Sequence, residues 1–474
     1  VGEYAISDSY FDGNDHPNSA IHSSNSTSLH ISNCTFTNVI NAFIDISAAA
    51  TKYNTLITGC RFITGSGCNY AVFIDSDIYG ARIESCVVDG NGANLINGFV
   101  SSSAATAVIG CSIVDVDDTG ISLSGNGCMI SGCYVYSASV GAYIGNAGPP
   151  VASGGLIQNC LFDGCDTGGY LLASNSSICS CSALGAISVG FAIAAGSSNC
   201  FIDSCVIGST AALVPSRAGV TLVGTCCSIR NCGFYALDDA GTAKKVINIS
   251  GDGNQIVGNY VYNCACTVGG IDVTGNRTQI CNNLIQDIND DNIRLNAGSS
   301  GSIVSGNQLH ASSFPAVIGI QVVGCDACLI SNNRLNGFTN TSINVDNCDF
   351  THVIGNHVST GARAISVSTG TYPLIEGNYT YNCTDYGIYT SSARPSIVGN
   401  MVFSCPAADL IQIEVSTATD GIFTNNSLWQ VAGTLGDANL DAAAVADAWA
   451  GWKPYEGIAQ ALVNHNLMNA LQNV

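Results

Sequence analysis

One six-residue phrase recurs through the chain and constrains the fold more than anything else in it. The phrase is an apolar residue, any residue, a small residue, Cys or Asn, any residue, and an apolar residue. It reads Ile31-Ser-Asn-Cys34-Thr-Phe36, then Ile57-Thr-Gly-Cys60-Arg-Phe62, then Ile83-Glu-Ser-Cys86-Val-Val88. It continues through Cys111, Cys133, Cys160, Cys181, Cys205 and Cys232, after which the key residue becomes Asn259, Asn283, Asn307, Asn333, Asn356, Asn378, Asn400 and Asn426. Seventeen occurrences span sixteen intervals, so (426 − 34)/16 gives a mean period of 24.5 residues, with steps of 21 to 27. A repeat of this kind buries its apolar face only by stacking on its neighbours, which makes the chain a solenoid.

Three columns give the repeat physical content. Three residues before the key residue stands Ile, Val or Phe in every coil, and two residues after it an apolar residue in nearly every coil, with Ala183 and Thr380 the weakest. Immediately before it stand Gly eight times, Asn six times and Ser three times. Those residues tolerate positive φ best, so the pattern predicts a short strand, a one-residue left-handed corner and a second short strand. Phrases such as Gly120-Ile-Ser-Leu, Gly270-Ile-Asp-Val and Ser342-Ile-Asn-Val add a third strand that alternates inward apolar with outward polar residues. The expected fold is all-β: a right-handed, single-stranded parallel β-helix of about seventeen coils over residues 1–430, each of about 24 residues. A leucine-rich repeat would need a Leu consensus that is absent, and a propeller blade a period of about 40 residues.

Composition narrows the partners. Thirteen basic against thirty-four acidic residues give a net charge of −21, which argues against nucleic acid and against an anionic membrane surface. The 47 % of hydrophobic residues come in short bursts, with no run long enough to span a bilayer. No signal peptide is visible, and Ala5-Ile-Ser-Asp-Ser-Tyr-Phe already reads like the repeat, so the reading expects a truncated or processed N-terminal end.

The Ile-x-Gly-Asn-x-Val phrase and the Gly-Ile-x-Val strand resemble the repeats of the pectate-lyase-like superfamily, which includes polysaccharide lyases, polygalacturonases and bacteriophage tailspikes. The resemblance covers about residues 5–430 and implies an inward Asn ladder at the corner, here Asn259 to Asn426. Nine coils carry Cys there instead. Buried Cys behaves as a small hydrophobe, so corner filling is the leading reading and disulfides between coils the alternative. Nothing has the spacing of a zinc site, so no metal ligands are assigned and no cofactor is expected. Ca2+ is left open by the resemblance, without a motif for it.

Chemistry on such a scaffold belongs to outward strand positions and the loops beside them. The outward position of the Gly-Ile-x-Val strand reads Asp272, Arg294, Gln321, Asn344, Ser366, Tyr389 and then Gln412 or Glu414. This polar stripe with one aromatic suits an extended glycan. Of these, Asp272, Arg294, Gln321, Asn344, Tyr389 and Glu414 are the candidate substrate-binding residues. Carboxylate pairs recur just before the strand, at Asp117-Asp118, Asp238-Asp239 and Asp290-Asp291. Asp117-Asp118-Thr-Gly-Ile resembles a polygalacturonase phrase, but Gly-His-Gly, Arg-Ile-Lys and Asn-Thr-Asp are missing. The catalytic candidates are therefore Asp117, Asp118, Asp290, Asp291 and Arg294.

Beyond Asn426 the repeat stops. Asp437 to Ala450 and Ile458 to Leu471 show helical spacing, so residues 431–474 are expected to form a helical C-terminal cap or docking tail. The leading functional expectation is an extracellular or virion-surface appendage of tailspike type, a homo-oligomer or part of a larger assembly, that binds polysaccharide or cell-surface glycan. The alternatives are a secreted polysaccharide lyase, glycoside hydrolase or epimerase, and a purely structural fibre subunit.

Overall fold

The computed structural model describes residues 3–16, 18–24, 28–47, 52–64, 67–91, 95–146, 152–186, 188–208, 218–237, 245–266, 268–312, 317–403, 413–415 and 421–429. The described residues form an all-β parallel solenoid of about 15 turns and contain no helix. The expected cap over 431–474 lies outside them, and nothing in the described residues supports it. The chain divides into two compact units, Val1–Thr242 and Ala243–Val474.

In the first unit the apolar column three before the key residue becomes a ladder of parallel strands. Ile6 pairs with Ile31, Ile31 with Ile57, Ile57 with Ile83 and Ile83 with Val108. Each side chain from Ile31 to Val108 is fully buried. The column two after the key residue stacks beside it, with the rings of Phe11, Phe36 and Phe62 at successive centroid distances of 4.9 and 5.2 Å. Between the two columns every small residue sits at positive φ, from Asn33 (52°) and Gly59 (63°) to Asn231 (54°). The left-handed corner read from Gly, Asn and Ser is therefore present in each of these coils.

All 23 described cysteines are free thiols. Corner filling is what the Cys ladder does, and it also does part of the work of an amide. The Cys181 thiol donates to the carbonyls of Ile157 (3.7 Å) and Cys179 (3.2 Å), and its sulfur accepts the Cys160 N–H (3.5 Å). Burial pushes the thiols of Cys68 and Cys165, outside this ladder, up to about 11. A glycine ladder runs along the third strand. A Cβ on Gly98, Gly120, Gly141, Gly168 or Gly190 would lie 2.3–2.6 Å from the carbonyl oxygen of the next glycine in the series, so only glycine fits.

The second unit repeats the plan with Asn at the corner, paired in register from Ile256–Ile280 to Ile397–Phe423. Each Asn closes a buried circuit. Asn333 Nδ2 donates to Val304 O (2.9 Å) and Asn356 Oδ1 (3.0 Å), while its Oδ1 accepts from Asn307 N (3.0 Å) and Asn307 Nδ2 (2.9 Å). A buried amide costs free energy unless its donors and its acceptor are used, and the parallel stack uses them.

Candidate functional site

The third strand does not alternate strictly. Lys245–Ile249 places Lys245 and Asn248 outward, with Val246, Ile247 and Ile249 buried. Two successive inward residues put positions three apart on the same face, so this face of the second unit carries two columns. One holds Asn248, Asp272, Arg294, Gln321, Asn344, Ser366, Tyr389 and Glu414, each paired with the next. The other holds Lys245, Gly269, Asp291, Ile318, Thr341, Arg363 and Tyr386. Asp291 takes its place there through Gly270 N to Asp291 O (2.8 Å) and Asn292 N to Ile318 O (3.1 Å).

Four sequence candidates meet where these columns run side by side. Asp272 is 2 % exposed, forms an ion pair with Lys245 Nζ, and accepts a hydrogen bond from Asn296 Nδ2 at 2.8 Å. Lys245 also donates to Asn248 Oδ1 at 3.2 Å. Asp291 is 4 % exposed. Burial, reinforced by the like charges of Asp290 and Asp272 and opposed by Arg294, pushes its carboxyl up to about 7. Asp290 is half-buried, and burial raises its carboxyl too. Arg294 keeps a buried Nε that makes no hydrogen bond among the described residues. Gly269, at φ 140°, leaves no side chain between Lys245 and Asp291.

The arrangement offers a carboxyl that holds its proton to near neutrality, a carboxylate fixed by a lysine, and a guanidinium whose Nε is not committed. A buried carboxyl of raised pKa beside a second carboxylate is an arrangement that acid–base chemistry can use. Lys245 and Asn296 were not among the sequence candidates. The signal for Lys245 was its place two residues before the inward Ile247, a column that strict alternation would have turned inward.

Further along the same face stands an aromatic group. The Arg363 guanidinium lies 5.3 Å from the ring centroids of both Tyr386 and Tyr389, and Arg363 Nε donates to Asp385 Oδ2 at 3.0 Å. Gln321 and Asn344 are half-buried between this group and the carboxyl cluster. Glu414 occupies the strand position opposite Tyr389, and its side chain lies outside the described residues. Asp117 and Asp118, in the first unit, are exposed and bond through their backbones, N to Leu95 O and Ile96 O at 2.8 Å each. Asp238 and Asp239 lie outside the described residues. Among the described residues no three His, Cys, Asp or Glu side chains gather to hold a metal ion.

The parallel ladders make a parallel β-solenoid, and its second unit carries an inward Asn stack. Residues 318–434 match the family described as right handed beta helix region. The chain is similar in fold to a DFA-IIIase from Arthrobacter chlorophenolicus A6 without its lid, at 11 % identity and a TM-score of 0.40 over 69 % of this chain and 89 % of that one. It is similar to the periplasmic alginate epimerase AlgG (10 %, TM-score 0.34, 76 % of each chain) and to PfbA, a surface adhesin of Streptococcus pneumoniae (9 %, TM-score 0.37, 71 % and 85 %). No curated protein matches the chain. At these identities and scores no residue role passes from those proteins to this one.

Proposed function

We propose that the second unit binds an extended polysaccharide along its two outward columns and acts on it at the Asp272–Asp291–Arg294 cluster. Binding alone would suit an appendage as well as an enzyme. The observation that favours chemistry is Asp291, a carboxyl 4 % exposed and pushed up to about 7 beside a second buried carboxylate. Asp291 acts as the proton donor to the departing sugar oxygen. Asp272, held by Lys245 and Asn296, serves as base or nucleophile, and Arg294 offsets negative charge on the substrate. Stacked strands repeat at about 4.8 Å, close to the length of one sugar in an extended chain, so Gln321, Asn344, Ser366 and Tyr389 would meet successive sugars. An extracellular setting, on a cell or a virion, fits this reading.

The test is incubation with a panel of neutral and uronic polysaccharides, followed by reducing-end and unsaturated-product analysis. Cleavage or epimerisation by the native chain should fall about 10²–10⁴-fold in D291N while glycan binding persists. No change in any glycan, or full activity in D291N, would overturn the assignment.

A further inference from the structure

A second left-handed corner, three residues before each inward residue of the first strand, holds a second set of side chains. In the second unit it runs Gly253, Arg277, Gly301, Ala327, Phe350, Tyr372 and Arg394, all at φ between 52° and 68°. Glycine or a small residue suits such a corner. Phe and Tyr do not, because a bulky residue there is strained. Yet Phe350 and Tyr372 occupy successive coils, 54 % and 43 % exposed, with rings stacked at 5.3 Å and an interplanar angle of 5°. The Arg394 guanidinium lies 5.3 Å over the Tyr372 ring and donates to its hydroxyl.

Exposed side chains gain little from burial, so core packing does not account for the strain. The stack is closed at one end by Arg394 and ends at the other on Phe350, beside Ala327. One coil further on, the Arg277 side chain leans over Gly301, where an added Cβ would meet Arg277 Cγ at 3.4 Å. Between Phe350 and that arginine stem the column therefore holds only the methyl of Ala327. The gap spans two coil steps, about 10 Å, which is room for one ring between two flat neighbours. Next to it in sequence stand Asp326 and Asp349. Each uses Oδ1 to accept a backbone N–H, from Asp349 (2.9 Å) and Thr371 (2.7 Å), and among the described residues neither Oδ2 is bonded.

We propose that this gap is a second glycan site, separate from the carboxyl cluster, that takes one neutral pyranose ring. The sugar's C–H face stacks on Phe350, and its hydroxyls donate to Asp326 and Asp349. Two carboxylates that can only accept favour a hydroxyl-rich neutral sugar over a uronate, whose charge they would repel. Because the ring normal of Phe350 follows the stacking direction, the bound chain here lies parallel to the coils rather than running from coil to coil.

The test uses the full chain with cellohexaose, laminarihexaose and chitohexaose, and with oligogalacturonate as the anionic comparator, observed by saturation-transfer NMR and calorimetry. At least one neutral hexasaccharide should bind, and oligogalacturonate should not compete for it. F350G should weaken that binding about tenfold or more while leaving the thermal midpoint unchanged or higher, since glycine relieves the strained corner. A purely structural stack would instead lower the midpoint in F350G, and binding would stay as it was. F350G should leave the Asp291-dependent turnover unchanged, so the site stands or falls apart from the chemistry proposed above. Binding of no neutral glycan, binding indifferent to F350G, or a dimer that F350G converts to monomer without any glycan binding would each overturn the proposal.

Discussion

Replacing Asn333 by Ala removes four buried hydrogen bonds at once, and the geometry says which of the groups left behind is orphaned. Asn307 Nδ2 keeps its bond to Ile280 O (2.9 Å), and Asn356 Oδ1 keeps the Asn333 backbone N–H (3.0 Å). The Asn307 N–H, in a residue wholly buried, loses its acceptor. An orphaned buried donor costs about 1–3 kcal/mol and each of the three further lost bonds about 0.5–1.5, so N333A should cost roughly 3–7 kcal/mol. N333C should cost less. In the first unit a Cys sulfur accepts the preceding coil's N–H (Cys160 N to Cys181 Sγ, 3.5 Å) and its thiol reaches the Ile157 carbonyl (3.7 Å). Cys at 333 would repair the orphan and lose only the amide-to-amide contacts, a cost of about 1–2 kcal/mol. In a solenoid the loss is felt by the nearest coils, so hydrogen exchange of the segments containing Val304, Asn307 and Ile330 is the measurement of choice. Protection there should fall about thirtyfold further in N333A than in N333C, the equivalent of about 2 kcal/mol. Equal losses in the two variants, or an N333A chain within about 0.5 kcal/mol of native, would refute the account of the ladder.

Three further outcomes follow from other parts of the molecule. Native alkylation followed by mass mapping should label Cys226 first, then the half-buried Cys179 and Cys281, and should leave the ladder cysteines unmodified until the chain is denatured; a disulfide between ladder positions would contradict the free thiols. The folded state keeps the Asp291 proton to about pH 7, whereas an unfolded Asp releases it near 4, so that stabilisation is complete below about pH 4, declines as pH rises to about 7 and is gone above. D291N should therefore match the native chain in denaturant midpoint at pH 4 and exceed it at pH 8 by an amount of order a few kcal/mol; an equal gap at both pH values would show that Asp291 is not held neutral. G141A should cost several kcal/mol in a melting assay, because its Cβ would meet Gly168 O at 2.5 Å and Phe162 Cδ1 at 2.4 Å. G127A, at φ 66° with open space around it, should cost only about 1–2 kcal/mol.

The first corner was legible in the sequence because its chemistry is restrictive. Only Gly, Asn and Ser precede the key residue, and all of the described ones adopt positive φ. The second corner was not legible. Its residues include Ala105, Cys226, Arg277, Phe350 and Tyr372, which share a conformation but no residue type. There the backbone is held by hydrogen bonds to neighbouring coils, such as Phe350 N to Thr371 O (2.9 Å) and Tyr372 N to Ala393 O (3.0 Å). Tertiary context overrides local preference at those places, and a sequence pattern cannot show it. The outward column from Asp272 to Tyr389 was read correctly as a column. Its neighbour containing Lys245, Asp291 and Arg363 was missed as a face, since period-two alternation assigns it to the interior.

That departure from alternation creates the carboxyl cluster, and in the Asp291 coil it runs through Asn292. Asp291 and Arg294 are three residues apart and would point to opposite faces of an ideal strand. They share a face because Asn292 and Ile293 both turn inward, each fully buried. The same inward place holds Val246 and Gly270 in the two preceding coils and Gly319 in the next. Asn292 alone of these four carries an amide, and neither Nδ2 nor Oδ1 is hydrogen-bonded among the described residues. A buried amide without partners costs about 1–3 kcal/mol, and Val, which already fills this inward place at 246, lacks that polarity. N292V should raise the stability of the second unit by roughly 1–3 kcal/mol and leave the elevated Asp291 carboxyl where it is, as read by the pH dependence above. A destabilised N292V would mean that the amide is satisfied in solution and supports the bend through a bond. A stabilised N292V in which the pH dependence of D291N disappears would mean that the amide itself, rather than the pair of inward residues, holds Asp291 beside Arg294.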